Sequence, residues 1–566
     1  MGTCTSRLQD QLSMYERLVS SDNSCHDRIE IPKCAQGRVR TDEKFLLALK
    51  VALLVLLPFV IYTLCYSDAD RSLSDQCGNI CGKKNIKYDQ WECTGKDYTN
   101  KKLLQLDDVN GLRDISSTPR HCVSQCDPYY DEIVGALCVN RYAEKADVKI
   151  VLEFFESWIF LQSVSWRLTF ACFLSVGVTL SVLYLFRVAA DNMVWNILGG
   201  VVSLLFIFVI FLWISCFKED YVAVPLFFTI MLGVLLAVMK FLYKKITLMV
   251  VIFKEAMKAI SAMPHLLRVI IVAFIVDLLV ASLFLTVLVY MYTAGTLTEI
   301  EHGFLVYKSN VVMSFSIYFT ILMAFWINQF SAGIQCMAIA GAVSKWYFAK
   351  DKNNLNPSII TSAYIAVKFH LGSAAFGSLV ISIVAIIQSI LSSVFKNSIL
   401  KNCLNLCLEV IEDILQYLTT NAYIMTAMHG KPFFESGKMG TKMLRQNVAN
   451  VFVLHYIGSF IIVMACVLVM LISLLLTYFV MMGVNSPHGW SVYAVVGIVS
   501  FIVSAVCFSI FQIVIDTIYL CFCEDKLLND GIDRPYAMSR DLMEFIENHK
   551  KRGLFGERIT DTYMEI

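Results

Sequence analysis

Aromatic side chains set inside long apolar runs are the first residues in this chain whose type suggests chemistry: Trp195, Trp213, Tyr318, Trp326 and Tyr423. The face of an aromatic ring attracts positive charge through its quadrupole. That attraction needs no proton from the cation. A quaternary ammonium, which has none to donate, can therefore be held by ring faces with one carboxylate as counter-ion. Two carboxylates lie in apolar surroundings. Asp277 sits in Phe274-Ile275-Val276-Asp277-Leu278-Leu279, and Asp516 near the end of the last apolar run. A carboxylate at membrane depth is costly and usually has a task. Asp277 is a candidate counter-ion or proton site, with a structural pair as the alternative. Asp516 is a candidate for gating or a structural role.

Two segments are polar or small for apolar surroundings. Phe325-Trp326-Ile327-Asn328-Gln329-Phe330-Ser331-Ala332-Gly333-Ile334-Gln335 carries three side-chain amides and a glycine that can break a helix. Interrupted helices expose polar groups to substrate in many transporters. Trp326 and Gln329 are thus candidate substrate contacts; hydrogen bonding between helices is the blander reading. In His370-Leu371-Gly372-Ser373-Ala374-Ala375-Phe376-Gly377-Ser378, small residues recur at a spacing of four, a seam for close helix packing. The phosphate-loop, zinc-protease, nucleophile-elbow and dinucleotide motifs are missing. The expectation is a protein that is not an enzyme, uses no cofactor or metal, and moves cargo by a gradient or the membrane potential.

These residues need rods of lipid-spanning length to place them. The chain of 566 residues is 57% hydrophobic and 16% charged, and its mean hydropathy is +0.63. Soluble domains carry about 25% charged residues, and runs of about 20 apolar residues match the bilayer core. The predicted class is an all-α polytopic bundle of about ten transmembrane helices, over 45–65, 168–187, 194–215, 221–242, 267–292, 311–332, 370–393, 404–428, 453–483 and 490–520. The run at 404–428 contains Glu409, Glu412 and Asp413, and it must still cross if the later spans are to point the right way. A net charge of +1 gives no reason to expect a nucleic-acid partner.

Lysines and arginines settle the expected orientation. Lys244, Lys245, Lys254, Lys258, Lys345, Lys350, Lys352, Lys431, Lys438, Lys442 and Arg445 fall in alternate loops. Residues 1–44 therefore read as a cytosolic tail, 45–65 as the first span, 66–167 as an extracellular loop, 168–523 as the remaining bundle, and 524–566 as a cytosolic tail. Lysines interleaved with apolar residues over 243–262 read as a cytosolic interfacial helix. Of 19 cysteines, Cys77, Cys81, Cys93, Cys122, Cys126 and Cys138 share the 66–167 loop. An even set in a polar outer stretch indicates disulfides, with 15 pairings open. No N-x-[ST] glycan acceptor is present, and no cleavable signal peptide is expected. The start, Met1-Gly2-Thr3-Cys4-Thr5-Ser6, fits an acylation pattern, with Gly2 for myristate and Cys4 for palmitate.

Several stretches resemble the choline transporter-like family, solute carrier family 44. They are Gln76-Cys77-Gly78-Asn79-Ile80-Cys81-Gly82, Trp326 to Phe330 with Met337 to Val343, His370-Leu371-Gly372, Leu418-Thr419-Thr420-Asn421-Ala422-Tyr423, and Asp516-Thr517-Ile518-Tyr519-Leu520-Cys521-Phe522. The resemblance implies ten spans, both termini cytosolic, and sodium-independent transport of choline and sometimes ethanolamine, by facilitated movement or proton exchange. It also implies residence in the plasma membrane, with mitochondria as a second site, and a supply role for phosphatidylcholine synthesis. Gln329 stands where relatives carry glutamate, and Asp277 where the family is apolar. The expected partners are choline or a related organic cation and membrane lipids. A lipid-handling protein, or a surface receptor using the disulfide loop, is the alternative.

Overall fold

The computed structural model describes Lys33 and residues 37–544, apart from 107–118, 134–136, 141–145, 220–221, 264, 300–303, 309, 350–351, 353–357, 395–397, 446–447, 485, 530–534 and 540–541. Gly2 and Cys4 lie outside the described residues. The protein is a multi-pass helical membrane protein. Its helices are α1 (Glu43–Tyr66), α2 (Ala146–Ser163), α3 (Ser165–Glu219), α4 (Ala223–Ala262), α5 (His265–Thr293), α6 (Val311–Phe348), α7 (Ser358–Phe369), α8 (Leu371–Val394), α9 (Ser398–His429), α10 (Phe433–Arg445), α11 (Val448–Val480) and α12 (Trp490–Leu528). Helix α3 is two rods joined at Ala189, which leaves helical backbone geometry. Among the described residues, nine stretches are long and apolar enough to cross a membrane. Helix α9, with Glu409, Glu412, Asp413 and several amide and hydroxyl side chains, is not one of them. It has 32 residues, and about 48 Å of helix is ample for a full return along the bundle.

Residues 243–262 do not form a separate interfacial helix. They continue α4, a single helix of 40 residues, and Met249, Ile252, Phe253, Ala256 and Ala259 are buried. Phe253 meets Phe186 of α3 and Phe511 of α12, and Phe186 also meets Phe508, with ring centroids 5.7 to 6.4 Å apart. Apolar residues three and four apart can face lipid or protein equally well; here they face protein.

Residues 66–163 hold more than a loop. Strands β1 (Leu103–Leu106), β2 (Arg120–Val123), β3 (Tyr130–Ile133) and β4 (Leu137–Asn140) form a sheet in the order β2-β1-β4-β3. Its β1–β4 pair is parallel and the others antiparallel. Three disulfides fix it: Cys77–Cys93, Cys81–Cys122 and Cys126–Cys138. Cys81 and Cys122 pack with buried Leu104 in a small core. The Cys81–Cys122 bridge closes the longest interval, 41 residues. Replacing both cysteines by alanine is expected to cost this unit about 3–4 kcal/mol. Faster tryptic cleavage between residues 82 and 121, with the rest of the chain intact, is the measurement.

This unit docks on the hairpin of β5 (Thr296–Glu299) and β6 (Leu305–Lys308), which joins α5 to α6. The Arg71 guanidinium lies 5.0 Å from the Tyr307 ring centroid and donates to the carbonyls of Thr293 and Gly295 at 3.0 and 3.1 Å. His488, between α11 and α12, lies 3.0 Å from Glu156 of α2. These contacts define one end of the bundle, the disulfide end.

At the other end a short strap, Lys33 and residues 37–42, runs into α1. Arg38 is buried, and its guanidinium donates to the carbonyl of Ala427 at 2.6 Å and to His370 Nε2 at 3.0 Å. Burial holds the guanidinium below its ordinary value, at about 10, so it remains charged at neutral pH. Because a guanidinium only donates, His370 Nε2 accepts and Nδ1 carries the proton. Nδ1 is 3.0 Å from Thr41 Oγ1, Thr41 Oγ1 is 2.7 Å from Ser373 Oγ, and Ser373 donates to Asp42 Oδ2 at 2.6 Å. One directed chain of hydrogen bonds thus links a fixed cation to an acidic side chain. Asp42 Oδ2 also accepts from the Phe433 amide at 2.8 Å.

Candidate functional site

The six aromatic and amide candidates do not gather in one place. Trp195 packs on Tyr243, with centroids 5.3 Å apart, and Trp213 donates to Thr229 Oγ1 at 3.0 Å. Both tie the second limb of α3 to α4. Tyr318 is 70% exposed on α6. Gln329 is half-buried, one turn beyond Trp326. Only Trp326 and Tyr423 converge, and they do so on the backbone of α8.

The Trp326 indole donates to Ala375 O at 3.1 Å. The Tyr423 hydroxyl donates to Ala374 O at 3.1 Å. Gly377 makes room for it: a Cβ there would lie 2.5 Å from the phenol oxygen. Tyr423→Phe removes this hydrogen bond to the α8 backbone. It is expected to lower stability by about 1–2 kcal/mol, read as a lower melting temperature of the detergent-solubilised protein.

Asp277 is half-buried and held by an amide. Gln335 Nε2 donates to its Oδ2 at 2.9 Å and reaches Ser331 Oγ at 3.4 Å.

The groups that suit a cation meet at Asp516, in a cavity between four helices. Met249 and Ile252 come from α4, Tyr417 and Asn421 from α9, His455 from α11, and Ile515, Asp516 and Tyr519 from α12. The level lies 12 residues before the end of α12 at Leu528, about 18 Å by helical rise, nearer the strap end than the disulfide end. Spacing along each helix explains the convergence. Tyr417 and Asn421 are four apart, as are Gln512 and Asp516, and such pairs share a helix face.

Asp516 is 8% exposed. Gln512 Nε2 lies 3.2 and 3.3 Å from its two carboxylate oxygens and 2.9 Å from His455 Nδ1. An amide nitrogen has two hydrogens and no acceptor. His455 Nδ1 itself lies 3.3 Å from Asp516 Oδ1, so amide, imidazole and carboxylate form one cluster. Asp516 is the one acidic side chain of the lining. Around it stand three rings, Tyr417, His455 and Tyr519, with the Tyr417 and His455 centroids 4.4 Å apart. One carboxylate and several ring faces are what a cation without hydrogen-bond donors requires. The cavity volume is ≈ 10 Å³, room for about one water molecule. Anything larger than a water molecule fits only if the four helices part.

Sequence reasoning found Asp516 but not Tyr417, Asn421, His455, Gln512 or Tyr519. Asn421 and Tyr519 lie within stretches that carry the family resemblance. Nothing local marks His455.

The family model described as plasma-membrane choline transporter matches residues 226–527, which include every residue lining the cavity. Choline transporter-like protein 1 of Mus musculus is 28% identical over 339 residues, covering 57% of this chain and 51% of the mouse protein. Choline transporter-like protein 3 of Homo sapiens is 28% identical over 412 residues, covering 67% of this chain and 63% of the human protein. Choline transporter-like protein 2 of Dictyostelium discoideum is 26% identical over 331 residues, covering 56% and 52%. The chain spans about half the length of the first of these relatives.

Proposed function

From the premise that the chain belongs to the plasma-membrane choline transporter family, we propose that it carries choline and related organic cations, ethanolamine included, across the plasma membrane, binding them at Asp516. The observation that carries this reading is the cavity itself: one buried carboxylate faced by Tyr417, His455 and Tyr519. In the proposed arrangement the disulfide end is extracellular and the strap and α10 are cytosolic. The small cavity is an occluded stage of an alternating-access cycle. Movement is sodium-independent, and an inside-negative potential of about 100 mV favours entry of one positive charge by about 2.3 kcal/mol.

Purified full-length chain in liposomes tests the proposal by counterflow. Labelled choline is expected to accumulate in vesicles preloaded with unlabelled choline, saturably and without sodium. Repeating the assay with and without a pH gradient separates facilitated movement from proton exchange. Vesicles that accumulate no more label than protein-free controls overturn the proposal.

A further inference from the structure

We propose that Asn421 makes the Asp516 cavity selective for cations that carry a hydroxyl on a short arm. The inference rests on the reading of this cavity as the cation site and names the part of the substrate that decides affinity. Asn421 is 2% exposed, and its Nδ2 has no hydrogen-bond partner. The Tyr417 phenol beside it can take one of the two amide hydrogens, which leaves the other for a ligand. Among the described residues two partnerless buried polar atoms belong to this site: Asn421 Nδ2, a donor in the lining, and Gln512 Oε1, an acceptor next to it. Such a donor is rare in folded proteins and costly to leave unpaired.

An ammonium head cannot relieve that cost, because a cation has no lone pair to offer an N–H donor. A hydroxyl does. The amide is one helical turn from Tyr417, about 5–6 Å along α9. A charged head held among the rings and the carboxylate therefore leaves a short arm pointing at the amide. The cavity has room for about one water, and a water would satisfy Nδ2 in the empty state. A hydroxyl that takes its place keeps the hydrogen bond, whereas a methyl group loses it.

Choline and propyltrimethylammonium separate these cases. They have the same shape, with a methyl in place of the hydroxyl. The unmodified protein in liposomes is expected to prefer choline at least about tenfold when the two compete with labelled choline. Asn421→Leu is expected to weaken choline about tenfold and to leave propyltrimethylammonium as good or better. Equal competition by the two compounds in the unmodified protein overturns the inference without any variant. So does an Asn421→Leu protein that keeps the preference, or that loses both compounds alike. If Asp516→Asn abolishes both compounds while the preference is absent, the hydroxyl inference falls and the cation site stands. If Asp516→Asn leaves both unchanged, the site reading itself falls.

Discussion

Asp516→Asn is expected to lower choline uptake at sub-saturating concentration by about 100-fold, close to 2.7 kcal/mol. Asparagine keeps the shape and one oxygen able to accept from Gln512, so the four-helix packing around the cavity has little reason to change. What it removes is the negative charge. A cation taken out of water by Tyr417, His455 and Tyr519 then has ring faces alone for compensation, and these supply about 0.5–2 kcal/mol each. The measurement is initial uptake into liposomes at several choline concentrations. A matching melting temperature in detergent shows that the protein is folded. The loss is expected in affinity more than in maximal rate. Uptake within threefold of the unmodified protein would remove Asp516 from the site.

Gly372→Ala is expected to destabilise the protein by about 3 kcal/mol, the upper range for overpacking. A Cβ on residue 372 would run into the backbone carbonyls of Thr41 and Asp42. Neither is the tip of a flexible side chain, so the strap itself must leave. Its departure breaks the Thr41 amide bond to Phe369 O at 2.9 Å, the Asp42 bonds to Ser373 and Phe433, and the Arg38 bonds to α9. Two measurements check this. The melting temperature falls by several degrees, and trypsin cuts faster at Arg40, whose side chain is 71% exposed. Combination with Arg38→Ala is the sharper probe. If one event expels the strap, the second substitution adds little. Strict additivity of the two effects would mean that the strap stays in place.

The rods of the fold were legible because a bilayer imposes a length. The first span, expected at 45–65, is α1 at Glu43–Tyr66, and the run at 404–428 lies within α9. Burial was less legible. Residues 243–262 have a periodicity that serves lipid or protein, and only the packing of α3 and α12 decides between them. The sheet at 103–140 gave no warning, because four-residue strands are too short to show an alternation. Its six cysteines announced disulfides but not their pairing. The cavity was the least visible of all. Its lining comes from residues 249 to 519, on four helices that no local spacing connects. Trp326 and Tyr423 stood out by type, and the structure engages both with the backbone of α8.

Ribosomes finish Arg38 long before they make what it binds. The chain must grow by 332 residues to reach His370 and by 389 to reach Ala427. At the usual 5–20 residues per second, that wait lasts about 20 to 80 s. Throughout it the guanidinium keeps its water and the foot of α1 stays loose in the emerging chain. The joint at the foot of the first helix is therefore closed only after about three-quarters of these 566 residues have been translated. Any nascent chain arrested before Phe433 carries an α1 whose lower end is unfastened.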